Sequence, residues 1–482
     1  MSHPDIRGDL GECPVQGPIR GLASAIMTLT DLPAARLVPR AAHDAAVAEL
    51  QRQYRAVPPG TPVRLGKPTS NLFRFSSAAG ARLIDVSALT GVLDVDPVAG
   101  TAEVQGMATY ETIVAATLAR GVMPLVVPQL KTITLGGAVT GLGIESTSFR
   151  HGLPHESVRE MDVLTPAGEL VTVTRDGEHA DLFRGFPNSY GTLGYALRIV
   201  IDVMPVQPYV ALEHRRIGSG ELSAAISEVC ADPATDFVDG TVFGPDENYL
   251  TIGRFTTDPG PGTSDYTGQR IFYTSIRERT HDVLTVHDYI WRWDTDWFWC
   301  SRAFGVQHPL VRRFWPRRYR RSDVYRRLVA LDRRYGFTAK AHRVLGKPQD
   351  ELVIQDVEIP VARLREFLDT FHADIGIRPV WLCPLALRDD RPWPLYPLTP
   401  GELYVNVGFW SAVPQAPGDP EAHNRRVEEL VAQLGGHKSL YSTVHYDEQE
   451  FWEHYNGPAY RALKDRYDPG GRAPDLYAKV RR

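Results

Sequence analysis

The chain has 482 residues, 43% of them hydrophobic and 23% charged, with a formal net charge of −5. At about 100–200 residues per domain this length suggests two or three globular domains. The ordinary composition excludes a disordered chain, a coiled coil or a collagen-like fibre, and no global basic excess points to nucleic acid.

Residues 1–40, rich in Gly and Pro, read as an extension that wraps the surface. Residues 41–54 read as a helix whose apolar face carries Ala45, Val47, Ala48 and Leu50. A strand at 62–65 leads into a polar turn at 66–71, and strands follow at 83–86, 91–94 and 101–104. Residues 110–120 form a helix stopped by Gly121. The run 128–145 has few charges and holds two glycine-bearing turns. Strands at 160–164 and 170–174 flank a Pro-Ala-Gly turn, and a glycine-rich turn at 188–194 precedes a strand at 195–204. Beyond residue 205 strands (249–255, 351–359, 402–409) alternate with helices (222–230, 361–375, 421–434), as in a second α+β domain. The expected division is an extension at 1–40, a first domain at 41–205, a second at 206–435 and a C-terminal segment at 436–482. No stretch approaches the ~20 apolar residues that span a bilayer, and no signal peptide is evident. A cytoplasmic protein is expected, with peripheral membrane attachment left open.

The four cysteines, Cys13, Cys230, Cys300 and Cys383, are too scattered for a zinc finger or a dense disulfide framework, so no metal site is expected. Neither GxGxxG opening a helix nor GxxxxGK[ST] occurs, which argues against Rossmann and P-loop sites. Glycine pairs alone are a weak sign of a phosphate site and are more often turns.

The order of elements says more. A polar Gly/Thr/Ser turn, an Asp85-Val86-Ser87 strand end, a helix, Thr134-Leu-Gly-Gly137, Ser148-x-x-x-Gly152 and Gly191-Thr-Leu-Gly194 follow one another. This resembles the FAD-binding domain of the vanillyl-alcohol-oxidase type. The fold implied is α+β, a PCMH-type two-subdomain FAD-binding domain plus a second α+β substrate (cap) domain. The resemblance implies a first pyrophosphate loop in Arg64, Gly66, Lys67, Pro68, Thr69, Ser70 and Asn71. It implies a second run along pyrophosphate and isoalloxazine through Pro128, Thr132, Thr134, Gly136, Gly137, Gly141, Gly143 and Ser146. Gly152, Gly191, Gly194 and the strand at Ile199 would complete the contacts. The first loop lacks a flavin-linking His and the second has no Cys, so FAD is expected to be held non-covalently. The likeness narrows to the Δ24-sterol reductase branch at Val126-Val-Pro-Gln-Leu130, Gly141-Leu-Gly-Ile-Glu-Ser146, Val353-Ile-Gln-Asp-Val-Glu358, Pro379-Val-Trp-Leu-Cys-Pro384 and Asn456-Gly-Pro-Ala-Tyr460.

That branch implies NADPH or NADH as electron donor, hydride transfer through FAD and protonation of an alkene by a side chain. Candidates for the acid are Glu145, His151, Tyr404, His445 and Tyr446, with Glu450, which a solvated helix face also explains. Glu145 stands in a nearly uncharged run, where a carboxyl would be desolvated; the bland alternative is a partner for Arg150 or for turn N–H groups. A surface turn explains His151 equally well, and core packing explains Tyr404. Cys383 and Trp381 are most simply core.

Of the nine Trp, five (Trp291, Trp293, Trp297, Trp299, Trp315) fall within 25 residues, and eight Arg lie between Arg312 and Arg327. Trp beside Arg suits a lipid interface at 285–327; a buried Trp cluster with salt-bridged Arg is the alternative. Three functions compete: reduction of an isolated C=C in a lipid (a sterol side chain or a methylene-branched fatty acyl chain), FAD-dependent oxidation of an alcohol, sugar or hydroxy acid, and non-catalytic lipid binding.

Overall fold

The computed structural model describes residues 37–58, 60–67, 80–336, 340 and 349–481. In chain order the first elements are α1 (Arg40–Arg55), β1 (Val63–Gly66), β2 (Arg82–Asp85), β3 (Val92–Asp96), β4 (Thr101–Gln105), α2 (Tyr110–Leu118), β5 (Val122–Pro124), α3 (Leu135–Gly141), α4 (Ser148–His151), β6 (Val158–Leu164), β7 (Leu170–Thr174), α5 (Ala180–Gly185) and β8 (Tyr195–Pro205). There follow β9 (Tyr209–Ile217), α6 (Leu222–Ala231), β10 (Phe237–Gly244), β11 (Glu247–Thr256), α7 (Phe272–Ser275), β12 (His281–Thr285), α8 (Val286–Ile290), α9 (Pro309–Phe314), α10 (Ser322–Tyr335) and β13 (Asp350–Pro360). The last are α11 (Leu364–Asp374), β14 (Val380–Leu385), β15 (Tyr404–Pro414), α12 (Ala422–Gln433), β16 (His437–Lys438), α13 (Glu448–His454), α14 (Gly457–Tyr467) and α15 (Leu476–Val480).

Two layers make up the FAD-side half. A parallel pair, β1–β2, packs against α1 through Leu50, Tyr54, Val63 and Ile84. Next to it an antiparallel sheet runs β3-β4-β8-β6-β7, with β5 pairing β8. The fold is α+β of the PCMH type, as expected.

The second half is an eight-stranded antiparallel sheet, β12-β9-β11-β10-β14-β15-β13-β16. Successive strand residues point to opposite faces. On β13 and β15, Val353, Val357, Ile359, Val405, Val407 and Phe409 pack under α6, α11 and α12. Asp356, Glu358, Asn406, Gly408 and Trp410 have the other parity. They look out on the front face together with Asp239 of β10 and Trp381 and Cys383 of β14. That front face continues into the core of the first half without a break: Trp381, Cys383, Val139 and Leu193 belong to one buried cluster.

The Trp-rich segment differs from the interface expectation. Trp291, Trp293, Trp297 and Trp299 are buried. Trp293 stacks on Phe298 at 4.8 Å, and Phe298 meets Trp410 edge-on at 4.2 Å. Large aromatics close the gap between the two halves because each removes so much apolar surface from water. Part of the Arg run is buried too. Arg312 binds Asp296 at 2.6 and 3.0 Å, and Arg320 donates to backbone carbonyls including that of Trp315.

Candidate active site

The glycine pair read as a turn is helical. Thr134 caps α3, its hydroxyl accepting the Gly137 N–H at 3.2 Å. A Cβ on Gly136 would lie 2.7 Å from the carbonyl oxygen of Gly106, so the helix sits directly on the backbone behind it. The chain then leaves α3 through Leu142, a non-glycine residue at φ 60°. Such backbone strain costs about 1–3 kcal/mol and gathers at functional sites.

From Thr132 to Ile144 half-buried positions recur: Thr132, Gly137, Thr140, Gly141, Leu142, Gly143 and Ile144. The Lys67 ammonium comes within 3.9 Å of where a Gly137 Cβ would stand. Tyr190 closes the other end, donating to the Gly141 carbonyl at 2.7 Å. A strip with a cation at one end and bare backbone flanked by apolar side chains at the other fits FAD. Lys67 and Gly137 would take the phosphates, and Gly141 to Ile144 the flat ring. Changing Lys67 to Met should weaken FAD binding about ten- to a hundredfold, the worth of a charge-assisted hydrogen bond. Titrating apoprotein with FAD and following flavin fluorescence measures it.

Other expected cofactor contacts stand elsewhere. Arg64 is exposed on β1, Gly66 abuts the Ile84 carbonyl, and Pro68, Thr69, Ser70 and Asn71 lie outside the described residues. Pro128 packs on Gly143, where a Cβ would come within 2.9 Å of its ring. Ser146 turns to the second half, its hydroxyl 2.9 Å from that of Tyr289 and its carbonyl accepting from Val238. Gly152 is required by a turn at φ 69° in which a Cβ would strike the Glu156 carboxylate. Gly191 lies against Tyr195, and Gly194 against the Leu164 carbonyl. Ile199 is a correction: it is wholly buried mid-strand, paired with Val104 on one side and Met161 on the other. Its side chain is core, and both neighbours occupy its backbone.

Of the six proposed acids only Glu145 enters the space between the halves, and Glu450 is exposed at the start of α13. Its carboxylate accepts from Arg292 at 3.0 Å, and Arg292 also reaches Asp239 at 2.8 Å. Asp239 takes further donors, the indoles of Trp293 at 3.1 Å and Trp381 at 3.4 Å. Glu145 is the poorer served, and its second oxygen has no hydrogen-bond partner among the described residues. Burial therefore raises its pKa although Arg292 opposes the shift. An ion-pair distance and a raised pKa coexist because one guanidinium serves two carboxylates. The expected Arg150 partner is replaced by Arg292.

The remaining candidates are corrections. His151 ends α4 among Arg388, Arg150 and Asp202, and burial followed by those arginines pushes it down to about 4. It is neutral at pH 7. The Tyr404 hydroxyl is engaged within its own turn, donating to Glu402 at 2.9 Å and accepting from Thr399 N–H. His445 and Tyr446 are held by α12: Glu428 accepts the His445 N–H, and the Tyr446 hydroxyl donates to the Glu428 carbonyl. His445 lies 3.2 Å from Glu421, but burial lowers it to about 4, so the contact joins a neutral imidazole to a carboxylate.

The sequence reading missed the front-face acids. Asp356 and Glu358 stand two residues apart on β13 and share one face, Asp356 half-buried and Glu358 wholly buried. Asp356 accepts from the Tyr441 phenol and, at 3.4 Å, from Asn406. Tyr441 in turn accepts from the Trp410 indole at 2.7 Å. Ser439 donates to Glu358, whose second oxygen has no hydrogen-bond partner among the described residues. Burial pushes Asp356 up to about 7, and burial plus the charge of Asp356 raises Glu358 well above the usual carboxylate range. Tyr190, the residue on Gly141, bears electrostatically on Tyr441. The acid pair and the cofactor strip therefore face a shared region in which the two phenols feel each other's charge. The signal was present in the sequence: two acids in register on a strand otherwise rich in Val and Ile.

The strip and this acid-bearing wall suit a protein that binds FAD. Residues 37–174 match the FAD binding domain family. The chain is 25% identical to the Delta(24)-sterol reductase of Homo sapiens over 406 residues, covering 81% of this chain and 76% of that protein. It is 25% identical to the Delta(24)-sterol reductase of Arabidopsis thaliana over 445 residues, or 83% and 76%. Cytokinin dehydrogenase 7 of Oryza sativa subsp. japonica is 30% identical over 209 residues, 41% of this chain and 39% of that one. The first part of the chain is thus an FAD-binding domain of the PCMH type, and most of the chain is distantly similar to Delta(24)-sterol reductases. Among the described residues no helix is long and apolar enough to cross a membrane.

Proposed function

We propose that the protein uses non-covalently held FAD and NADPH or NADH to reduce an isolated C=C bond in a lipid, a sterol side chain or a methylene-branched acyl chain. Bound FAD supplies hydride-transfer chemistry. The observation that carries the reading is the Asp356–Glu358 pair, a half-buried and a buried acid whose pKa values are both raised beside an aromatic wall. An unactivated alkene carbon that accepts hydride requires a proton at its neighbour, and a desolvated carboxylic acid is a suitable donor. Asp356 would give that proton from its Oδ and be left as a carboxylate. Tyr441 and Asn406 hold it in place, and Glu358 can return a proton to it. Trp381, Trp410 and Phe298 provide an apolar surface for a hydrocarbon and exclude water. The sequence likeness to Delta(24)-sterol reductases supports the same reading.

A second reading, oxidation of an alcohol, sugar or hydroxy acid, draws on the likeness to a cytokinin dehydrogenase. It would need a base where burial instead favours protonated carboxyls. Anaerobic mixing separates the two. Bleaching of the yellow protein by NADPH or NADH, then reoxidation by an added alkene, supports alkene reduction. Bleaching by an alcohol, with no response to alkenes, overturns it.

A further inference from the structure

From Arg302 to Ser322 the sequence contains no acidic residue. Over this stretch the chain exposes large apolar side chains beside cations. Phe314 is 80% exposed and Leu310 66%, with Val311 and Tyr319 also exposed. Leu310, Val311 and Phe314 share one side of α9, at the i, i+1, i+4 spacing of a helical face. Arg302, Arg313, Arg317 and Arg318 are exposed around them. Among the described residues Arg317 pairs with the exposed carboxylate of Asp265, and Arg318 stacks on Tyr319.

Single exposed apolar residues are ordinary. This group is different because the fold holds it outward. The opposite side of α9 is fixed by Arg312, which is buried and bound to Asp296 and to the carbonyls of Gly268 and Arg270. Arg320 fixes the turn after it by capping carbonyls of the same loop. Two buried guanidiniums thus brace an element whose outer face is apolar and cationic. The chain leading into α9 also lines the proposed site: Phe298 packs on Trp410, and the Trp299 indole donates to the Trp410 carbonyl at 3.1 Å.

We propose that α9 and the following turn dock the protein on an anionic bilayer. Leu310, Val311 and Phe314 enter the acyl boundary, and Arg313, Arg317 and Arg318 meet the headgroups. Charge complementarity selects this occupant. The chain as a whole is acidic at −5, whereas this patch sets four exposed arginines against the one carboxylate of Asp265, and each basic residue near an anionic surface contributes roughly 1 kcal/mol. Apolar side chains ringed by arginines suit an interfacial helix. The inference does not depend on which bond the site reduces.

The test is sedimentation of the full-length, FAD-loaded protein with vesicles. Binding to vesicles of phosphatidylcholine mixed with phosphatidylglycerol should exceed binding to pure phosphatidylcholine and fall as salt is raised. Phe314→Ser should weaken it about tenfold, the worth of one buried aromatic side chain. Replacing Arg313, Arg317 and Arg318 with Gln should remove the preference for anionic vesicles. Flavin content and NAD(P)H bleaching report that these variants remain folded. The proposal is overturned if anionic vesicles bind no better than neutral ones. It is equally overturned if Phe314→Ser leaves vesicle binding intact but converts a dimer to a monomer by light scattering, which would make the patch a self-association surface.

Discussion

Replacing Asp356 with Asn is expected to keep the protein folded and FAD-loaded while lowering turnover about 10²–10⁴-fold, the usual worth of a positioned acid. The amide has the shape of the protonated carboxyl and can still accept from Tyr441 and Asn406, but it has no acidic proton to give. Bleaching by NADPH should survive, because that half of the cycle needs no acid at the alkene. The pH dependence gives a second readout. Asp356 is held at about 7 in the fold against an ordinary 3.8, so the native state keeps a proton that the unfolded chain releases. Its contribution to stability is therefore fully present below about 4 and is lost as pH rises towards 7, a change of a few kcal/mol. Turnover should fall as pH rises through about 7. The Asp356→Asn substitution should flatten the stability slope in that window. Urea denaturation at a series of pH values, alongside steady-state rates, measures both. An unchanged rate in the variant would remove Asp356 from the mechanism and leave Glu358 or Glu145 as the acid.

Arg292 carries the second large effect. It is completely buried, stacks on Tyr289 at 4.0 Å and is the shared partner of Glu145 and Asp239. Changing it to Met leaves two carboxylates in the interior without a cation, a loss of about 3–5 kcal/mol. The loss should be smaller at acid pH, where the carboxylates can take up protons. Glu145→Gln should be far milder, since Asp239 still faces Arg292 and the amide can still accept. The double variant Arg292→Met with Glu145→Gln should recover part of the loss, because one of the two stranded charges is gone. Denaturation midpoints of the three proteins decide the matter. Equal midpoints for Arg292→Met and wild type would show that the cluster contributes nothing to holding the halves together.

Much of the fold was legible along the chain. The apolar positions of residues 41–54 predicted α1, and the helix expected at 110–120 before Gly121 is α2, which buries Ile113, Val114 and Leu118. Both show a 3.6-residue period that local burial obeys. The run at 128–145 misled because glycine pairs favour turns. Gly136 and Gly137 are helical here because α3 must lie on the backbone of Gly106, a contact between residues thirty positions apart. The Trp cluster left two readings open. Its composition fits a membrane surface or a core, and only packing against Trp381 and Trp410 selects the core.

For the site, the sequence pointed to Glu145 and to the glycine strip, because a lone carboxylate in an uncharged run is conspicuous. It could not indicate Arg292 or Asp239, which lie 147 and 94 positions away and come to Glu145 from the second half of the chain. Nor could it rank Asp356 above Glu450. Both are acids near hydrophobic residues, but Asp356 is half-buried on the front face of a strand, whereas Glu450 is exposed and caps the N-terminus of α13, its carboxylate taking the Asp447 N–H at 3.2 Å.

The sequence by itself determined the fold class, the FAD-type order of elements and the surplus of Trp and Arg in the second half, since these follow from local periodicity, turn residues and composition. Tertiary structure decided which acids are desolvated, which arginine neutralises them and which apolar face is left outward. Those properties depend on side chains brought together from distant strands, where water has been excluded and a charge without a neighbour is costly.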